Sequence, residues 1–138
     1  MKIVLDTNVL VSGLLTPFGN CGEIIRMLTS DEITLCVDSR ILAEYEEVIN
    51  RPQFNIDPKK TATVIEYIQT SAETHATIPL DRALPDEGDN PFMEVALSSG
   101  AECLVSGNLK HFPESRRAGM RVLAPKEFLD FFKKRKSR

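Results

Sequence analysis

Acidic and amide side chains stand at several points where short apolar runs of this sequence end. Asp6 directly follows the first run, Asn108 follows a later one, and Asp89 belongs to the loop 85–90, which holds three acids. Glu44 lies one turn inside a segment of helical periodicity and borders its apolar stripe. If the runs are parallel strands, their ends share one edge of a sheet, and these side chains are expected to converge there.

Carboxylates gathered in one cleft repel one another and are costly to bury, so such a cluster needs a cation. Oxygen ligands without histidine or thiolate favour Mg²⁺ or Mn²⁺. Such an ion lowers the pKa of a bound water, orients it towards a phosphorus and neutralises charge on the leaving oxygen. The pattern therefore predicts hydrolysis of a phosphodiester.

Each of these residues also has a purely structural interpretation. An aspartate after a strand, such as Asp6, is often a turn or cap residue. Asp89 would favour the positive end of the helix that follows it. Glu44 would be half-exposed on its helix, and the acids at 86 and 87 would face solvent. Only the joint placement of these residues favours a metal site, and that placement depends on the topology.

The apolar runs predict short strands. Near-continuous apolar runs of this length are typical of a parallel sheet that is covered on both faces. The candidate strands are 2–5, 33–37, 102–105 and 120–123, with a weaker one at 75–78 that ends at Pro79.

Segments of helical periodicity separate these runs. Ser39 is expected to cap a helix that ends before Pro52, and Asn90 to cap another that ends at Gly100. Further helices are predicted from Gly22, Pro58 and Pro125. The alternation predicts an α/β fold whose central sheet, of four or five strands, is mostly parallel and lies between layers of helices.

The chain has 138 residues, 42% of them apolar and 27% charged, which suits one domain with a buried core. No apolar stretch approaches the roughly 20 residues of a membrane span. The charge at Asp6 comes too early for a secretory signal, so a cytoplasmic protein is expected. Cys21, Cys36 and Cys103 have no C-x-x-C spacing and are expected to be reduced, buried thiols.

The basic residues are unevenly distributed. Residues 133–138 include five lysines and arginines although the net charge is −3, so residues 1–132 carry a net charge of about −8. The predicted organisation is a single domain, 1–132, followed by a basic C-terminal tail, 133–138. The tail would either help hold a polyanion such as RNA or form the solvated end of a helix.

Four segments hold the residues singled out above, and they lie at 4–12, 39–48, 86–96 and 101–112. In this order, along nearly the whole chain, they resemble the PIN-domain family, and within it the VapC-like toxins of bacterial and archaeal toxin–antitoxin pairs. The resemblance implies a three-layer α/β/α fold and a ribonuclease that depends on Mg²⁺ or Mn²⁺. It also implies a cognate antitoxin protein as partner and self-association as a homodimer.

The resemblance also implies a set of site residues. By position, the family's metal-binding acids correspond to Asp6, Glu44 and Asp89. Asn108 stands where the family often has a fourth acid. Its amide oxygen supplies no negative charge, which should weaken Mg²⁺ binding, and Asp86 would partly compensate.

Other matched residues would support these ligands. Asn8 corresponds to a polar residue that orients the first acid, and Ser106 to a hydroxyl residue that positions metal-bound waters. Lys110 and His111 would contact a phosphate or the departing oxygen. The preferred interpretation of this last pair is a short surface turn.

Two other functions are compatible with the sequence. The first is a non-catalytic relative that keeps the fold as an RNA- or protein-binding module, with Asn108 as a step in the loss of activity. The second is a phosphoacceptor domain of receiver or phosphohydrolase type, which also places an aspartate after a parallel strand. That alternative leaves the loop 86–89 without a role, and Asn8 stands where such a phosphohydrolase needs a second aspartate.

Overall fold

The computed structural model describes residues 1–137 and contains a five-stranded sheet with six α-helices. The strands are β1 (Lys2–Leu5), β2 (Thr34–Val37), β3 (Glu73–Thr74), β4 (Cys103–Val105) and β5 (Val122–Leu123). The helices are α1 (Thr7–Leu15), α2 (Asn20–Thr29), α3 (Ser39–Ile49), α4 (Pro58–Ser71), α5 (Asn90–Ser99) and α6 (Pro125–Lys136). The predicted α/β fold is confirmed.

The strand order is β3-β2-β1-β4-β5, and every neighbouring pair is parallel. The chain builds outward from β1 through β2 to β3, then crosses to the other side of β1 for β4 and β5. Ligands bind in parallel sheets beyond the carboxyl ends of the strands, where the order reverses. In this protein that point lies between β1 and β4, whose last residues Leu5 and Val105 are register partners.

The central strands are buried on both faces. Consecutive residues of β4 are fully buried, as are the last three of β1, so helices cover the sheet on each side. Helix α5 packs across β1, β2 and β4, while α2 packs against α1 and α6. The apolar runs of the sequence are thus explained by burial in a three-layer fold.

The predicted strand at 75–78 is wrong in position, because β3 spans Glu73–Thr74. His75 still donates its backbone N–H to the Val37 carbonyl at 3.0 Å. Strand β2 ends at Val37, so the residues after His75 have no neighbouring strand to pair with. Helix α1, which begins directly after Asp6, was not predicted from the sequence.

In two helices, the N-cap position belongs to the residue before the predicted cap. Asp38, not Ser39, caps α3, and its side chain accepts a hydrogen bond from Ile41 N at 3.0 Å. Asn90 is the first residue of α5, and its side chain accepts from Leu84 N at 2.9 Å instead of capping. The predicted stop at Gly100 is confirmed, since Gly100 takes the left-handed conformation with φ of 70°.

The basic run begins inside α6, which continues to Lys136, and Arg138 lies outside the described residues. Arg135 pairs with Glu102 at 2.6 Å and Lys136 with Glu32 at 3.6 Å, so part of this charge is matched by acids of the domain. Within residues 1–137, all three cysteines are free thiols, although Cys21 is only half-buried. None of the described helices is both long and apolar enough to cross a membrane.

Candidate metal centre

Asp6 and Ser106 meet directly beyond the carboxyl ends of β1 and β4. The parallel ladder continues one step past the strands, because Asp6 N donates to the Val105 carbonyl at 2.9 Å. Ser106 Oγ donates to Asp6 Oδ2 at 2.7 Å. Both residues are buried, Ser106 fully and Asp6 with 6% of its surface exposed. The pairing of β1 with β4 therefore fixes the first predicted acid beside the predicted hydroxyl.

Backbone and amide groups hold this pair in place. Asn108 N donates to Ser106 Oγ at 3.0 Å, which leaves the hydroxyl proton for Asp6. Asn8 Nδ2 donates to Asp6 Oδ2 at 3.3 Å, and Gly107 N donates to Asn8 Oδ1 at 3.1 Å. The loop after β4 and the first turn of α1 thus orient the Asp6 carboxylate from two sides.

Helix α3 brings Glu44 to the same edge of the sheet. The fully buried Tyr45 donates its hydroxyl to the Leu5 carbonyl at 2.5 Å, which anchors this turn of the helix to the end of β1. Thr7 Oγ1 donates to Glu44 Oε2. Thr7 follows Asp6 directly, so Glu44 is held next to Asp6. The role of Thr7 in holding Glu44 was not predicted from the sequence. Its place directly after Asp6 is the one signal that could have indicated a position in the site.

Asp89 enters the cluster from the acidic loop. It closes a short 3-10 turn, Glu87–Asp89, whose start is capped by Asp86, and the Asp86 side chain accepts from Gly88 N at 2.9 Å. The Asp89 side chain is 14% exposed. Its buried Oδ2 atom has no hydrogen-bond partner among the described residues. An unpaired buried carboxylate oxygen is costly unless a cation is present to compensate it.

The charges of these acids act on one another. Burial, the largest cause, and the negative charges of Asp6, Asp86 and Glu44 together raise the pKa of Asp89 from 3.8 to about 6, against the opposing effect of His111. Burial also raises the pKa of Asp6, opposed chiefly by the hydrogen bond from Ser106. These carboxylates therefore lie near enough for their charges to act on Asp89.

His111 contacts the cluster from a short turn in which its side chain is half-exposed, so it is a turn residue, as preferred from the sequence, that also reaches Asp89. Its Nδ1 is 3.0 Å from Asp89 Oδ2, although the pair is not aligned as a hydrogen bond. Its Nε2 is 2.9 Å from the Asn108 amide nitrogen. A single 3-10 turn, Leu109–His111, brings the side chain of His111 next to that of Asn108. Residues three apart lie on the same side of such a turn, so the spacing between Asn108 and His111 is a signal in the sequence that could have indicated this contact. Lys110, in the same turn, is exposed.

The donor set fits a hard divalent cation. In residues 1–137, no lysine or arginine forms an ion pair with Asp6, Glu44 or Asp89, and the basic side chain in contact with Asp89 is the half-exposed His111. The three acids do not offer oxygens that all lie within 4.8 Å of one another. Mg²⁺ keeps several of its waters in protein sites, so an ion here would contact some of the acids directly and others through water.

Ser106 offers a test of this arrangement. In Ser106→Ala, Asp6 loses its only buried hydroxyl donor, and loss of such a supporting contact weakens metal affinity by roughly 10–100-fold. Calorimetric titration with Mn²⁺ measures the effect, with Ser12→Ala on the exposed face of α1 as the matched control. An unchanged Mn²⁺ affinity in Ser106→Ala would show that the hydrogen bond does not prepare Asp6 for a cation.

Comparison with known proteins gives three findings. A PIN domain family model matches residues 2–110, a span that includes Asp6, Glu44, Asp89 and Asn108 and stops just before His111. An uncharacterized protein of Methanocaldococcus jannaschii is 24% identical over 145 residues, covering 97% of this chain and 93% of that protein. The third is a solved structure, the crystal structure of VapBC2 from Rickettsia felis bound to a DNA fragment from their promoter. It contains a chain of similar fold, with a TM-score of 0.55, 14% identity, and coverage of 90% of this chain and 98% of that one.

Proposed function

We propose that this chain, which belongs to the PIN domain family, is a divalent-metal-dependent endoribonuclease that hydrolyses phosphodiester bonds of RNA. One observation carries the proposal: the strand-order switch point holds Asp6 against Ser106 and Glu44 against Thr7, and the buried Oδ2 of Asp89 has no hydrogen-bond partner there. No lysine or arginine of residues 1–137 is paired with any of these three acids. Enzymes that bind Mg²⁺ to a few carboxylates use the ion on phosphate oxygens.

The chain's own residues have distinct tasks in this proposal. Asp6 and Asp89 would hold Mg²⁺ or Mn²⁺, with Glu44 as a further ligand or the acceptor of a metal-bound water. The bound ion would supply an activated water and neutralise charge on the phosphate. Ser106 keeps the Asp6 carboxylate oriented. Asn108 directs its amide nitrogen to His111, so its carbonyl oxygen is the acceptor left for a water.

The proposal is tested by incubating the purified chain with labelled single-stranded RNA in Mn²⁺, and in parallel with EDTA. Internal cleavage is expected with the metal and none with the chelator. A single-stranded DNA of the same sequence is the control for the sugar. Cleavage that persists in EDTA would contradict metal dependence, and equal cleavage of the DNA would contradict specificity for RNA.

Asn108 supports a second candidate, a catalytically weakened binding module of the same fold, because the site carries one negative charge less than an all-acid set. Asn108→Asp is expected to tighten Mn²⁺ binding by about 10-fold, since ligand charge sets affinity for hard cations, and to raise cleavage at limiting metal. Asn20→Asp, an exposed position at the start of α2, controls for net charge. Tighter metal binding without any cleavage in either protein would favour the binding module.

The proposal includes a role as the toxin of a toxin–antitoxin pair, with a cognate antitoxin as partner and a homodimer as its assembly. Support comes from the likeness to a chain of VapBC2.

A groove of about 360 Å³ between α1, α2 and α4 has apolar walls and a rim of Arg26, Lys59 and Lys60. Phe18, between α1 and α2, is 98% exposed. A partner with an apolar segment flanked by acids would suit this surface, and co-purification with its genetic neighbour tests the pairing.

A further inference from the structure

A second cluster of potential ligands lies on β2 and β3 and shares no residue with the acidic site. Cys36, Glu73 and His75 each place one donor atom within 4.8 Å of the donors of the other two. Cys36 is fully buried, while Glu73 and His75 are partly exposed. The cluster therefore has a buried sulfur at its base and an opening towards solvent.

The parallel pairing of the two strands creates this cluster. Cys36 and Glu73 are register partners, so their side chains lie side by side on one face of the sheet. His75 comes two residues after Glu73, and side chains two apart in an extended chain share a face. The hydrogen bond from His75 N to the Val37 carbonyl holds this residue in register beyond the end of β3. The backbone thus fixes all three side chains together.

We propose that Cys36, Glu73 and His75 form a second metal site, for a borderline-soft cation of the Zn²⁺ type, with a fourth position open to solvent. Thiolate, imidazole and carboxylate are the ligands that Zn²⁺ takes in proteins, whereas Mg²⁺ does not favour sulfur. His75 Nε2 and Glu73 Oε1 are hydrogen-bonded at 3.0 Å, and a bound cation would replace the proton between them. Two such atoms on a tetrahedral Zn²⁺ stand about 3.3 Å apart at the usual bond lengths.

Ion pairs already present in the cluster do not prevent this. Lys2 Nζ is 3.1 Å from Glu73 Oε1, but both side chains are 40% or more exposed. Exposed pairs of this kind are weak, because solvent screens them.

A cation here would hold the edge of the sheet. β3 has only two residues and pairs with β2 alone. A metal that joins Cys36 of β2 to Glu73 and His75 would add a cross-link between these strands. Zn²⁺ binding should therefore raise the melting temperature of the chain by mass action, independently of whether the chain cleaves RNA.

The test uses the metal-free full chain titrated with Zn²⁺ against a chromophoric chelator, and with Co²⁺ followed by the near-ultraviolet thiolate-to-cobalt absorption. One Zn²⁺ per chain at this site and a thiolate–cobalt band are expected. His75→Gln and Cys36→Ser should weaken Zn²⁺ affinity by at least about 10-fold and remove the band or reduce it. Cys103→Ser, a buried thiol on β4, should leave both unchanged.

Asp6→Asn separates this site from the proposed nuclease centre, because it should leave the thiolate–cobalt band intact whatever it does to RNA cleavage. If Cys36→Ser fails to fold, the Zn²⁺ affinity of His75→Gln provides the test, because His75 is partly exposed. Zn²⁺ affinity unchanged in His75→Gln, or the absence of a thiolate–cobalt band in the unaltered chain, would overturn the proposal.

Discussion

Replacing Asp6 with asparagine is expected to reduce Mn²⁺-dependent RNA cleavage by roughly 10²–10³-fold or more, the loss typical of removing one group that stabilises charge in a transition state. Asp6 is the acid that the fold fixes most firmly, through Ser106, Asn8 and the end of β1. The amide keeps the size of the side chain and removes its charge. Initial rates of cleavage of a labelled RNA at saturating Mn²⁺ measure the change.

The Asp6→Asn variant should remain folded, because burial raises the pKa of Asp6 and a neutral amide avoids that cost. A circular dichroism melt checks this point. Asp81→Asn, an exposed acid in the loop before α5, is the matched control and should keep full activity. Cleavage at the unaltered rate in a folded Asp6→Asn protein would remove Asp6 from the catalytic site.

Asp89→Asn is expected to have two opposite effects, a loss of metal-dependent cleavage and a gain in stability of the metal-free chain. Burial and the nearby Asp6 raise the pKa of Asp89 to about 6, so its ionised form destabilises the fold at neutral pH. The full shift corresponds to about 3 kcal/mol. Solvent access to part of the carboxylate reduces this to about 1–2 kcal/mol, or a rise in melting temperature of about 3–8 °C.

The pH dependence of this gain follows from the direction of the shift. The folded chain holds the Asp89 proton more tightly than the unfolded chain, so the penalty is complete above pH of about 6. It is relieved as the pH falls from there towards the ordinary value of 3.8. Melting curves in EDTA should therefore separate the variant from the unaltered chain at pH 7.5 and bring them together near pH 4.

Asp86→Asn is the control for Asp89→Asn, since Asp86 is exposed, acts on Asp89 through its charge, and as an asparagine keeps an oxygen that can accept from Gly88 N. It should give a smaller gain in stability. A melting temperature that falls in Asp89→Asn at pH 7.5 would mean that the contact with His111 outweighs the repulsion among the acids. Repulsion among the acids would then be too weak for the cluster to need a bound cation.

Strong local patterns made much of the fold predictable. The four longer apolar runs contain strands of the sheet, because a run buried on both faces leaves little room for polar residues. The position of β3 was not predictable from 73–78, since its extent depends on where β2 ends. α1 was missed because the apolar stretch after Asp6 has little helical periodicity, being packed on several sides.

Predicting the site depended on different information. The parallel pairing of β1 with β4 brings Asp6 to Ser106. The alternation of elements predicts a parallel sheet, but it does not specify which strands are neighbours. The contact between Thr7 and Glu44, and the place of His111 beside Asp89, depend on single turns whose geometry no pattern in the sequence specifies. His111 shows the limit most clearly, because its residue type favours either an exposed turn or a site.

The proposed function depends most directly on where a divalent cation binds. A crystal of the chain soaked in Mn²⁺ and measured for anomalous scattering gives that position. Anomalous density is expected between Asp6 and Asp89, within reach of Glu44 directly or through water. Density only at other places on the molecule, with none beside Asp6, would contradict the proposed function.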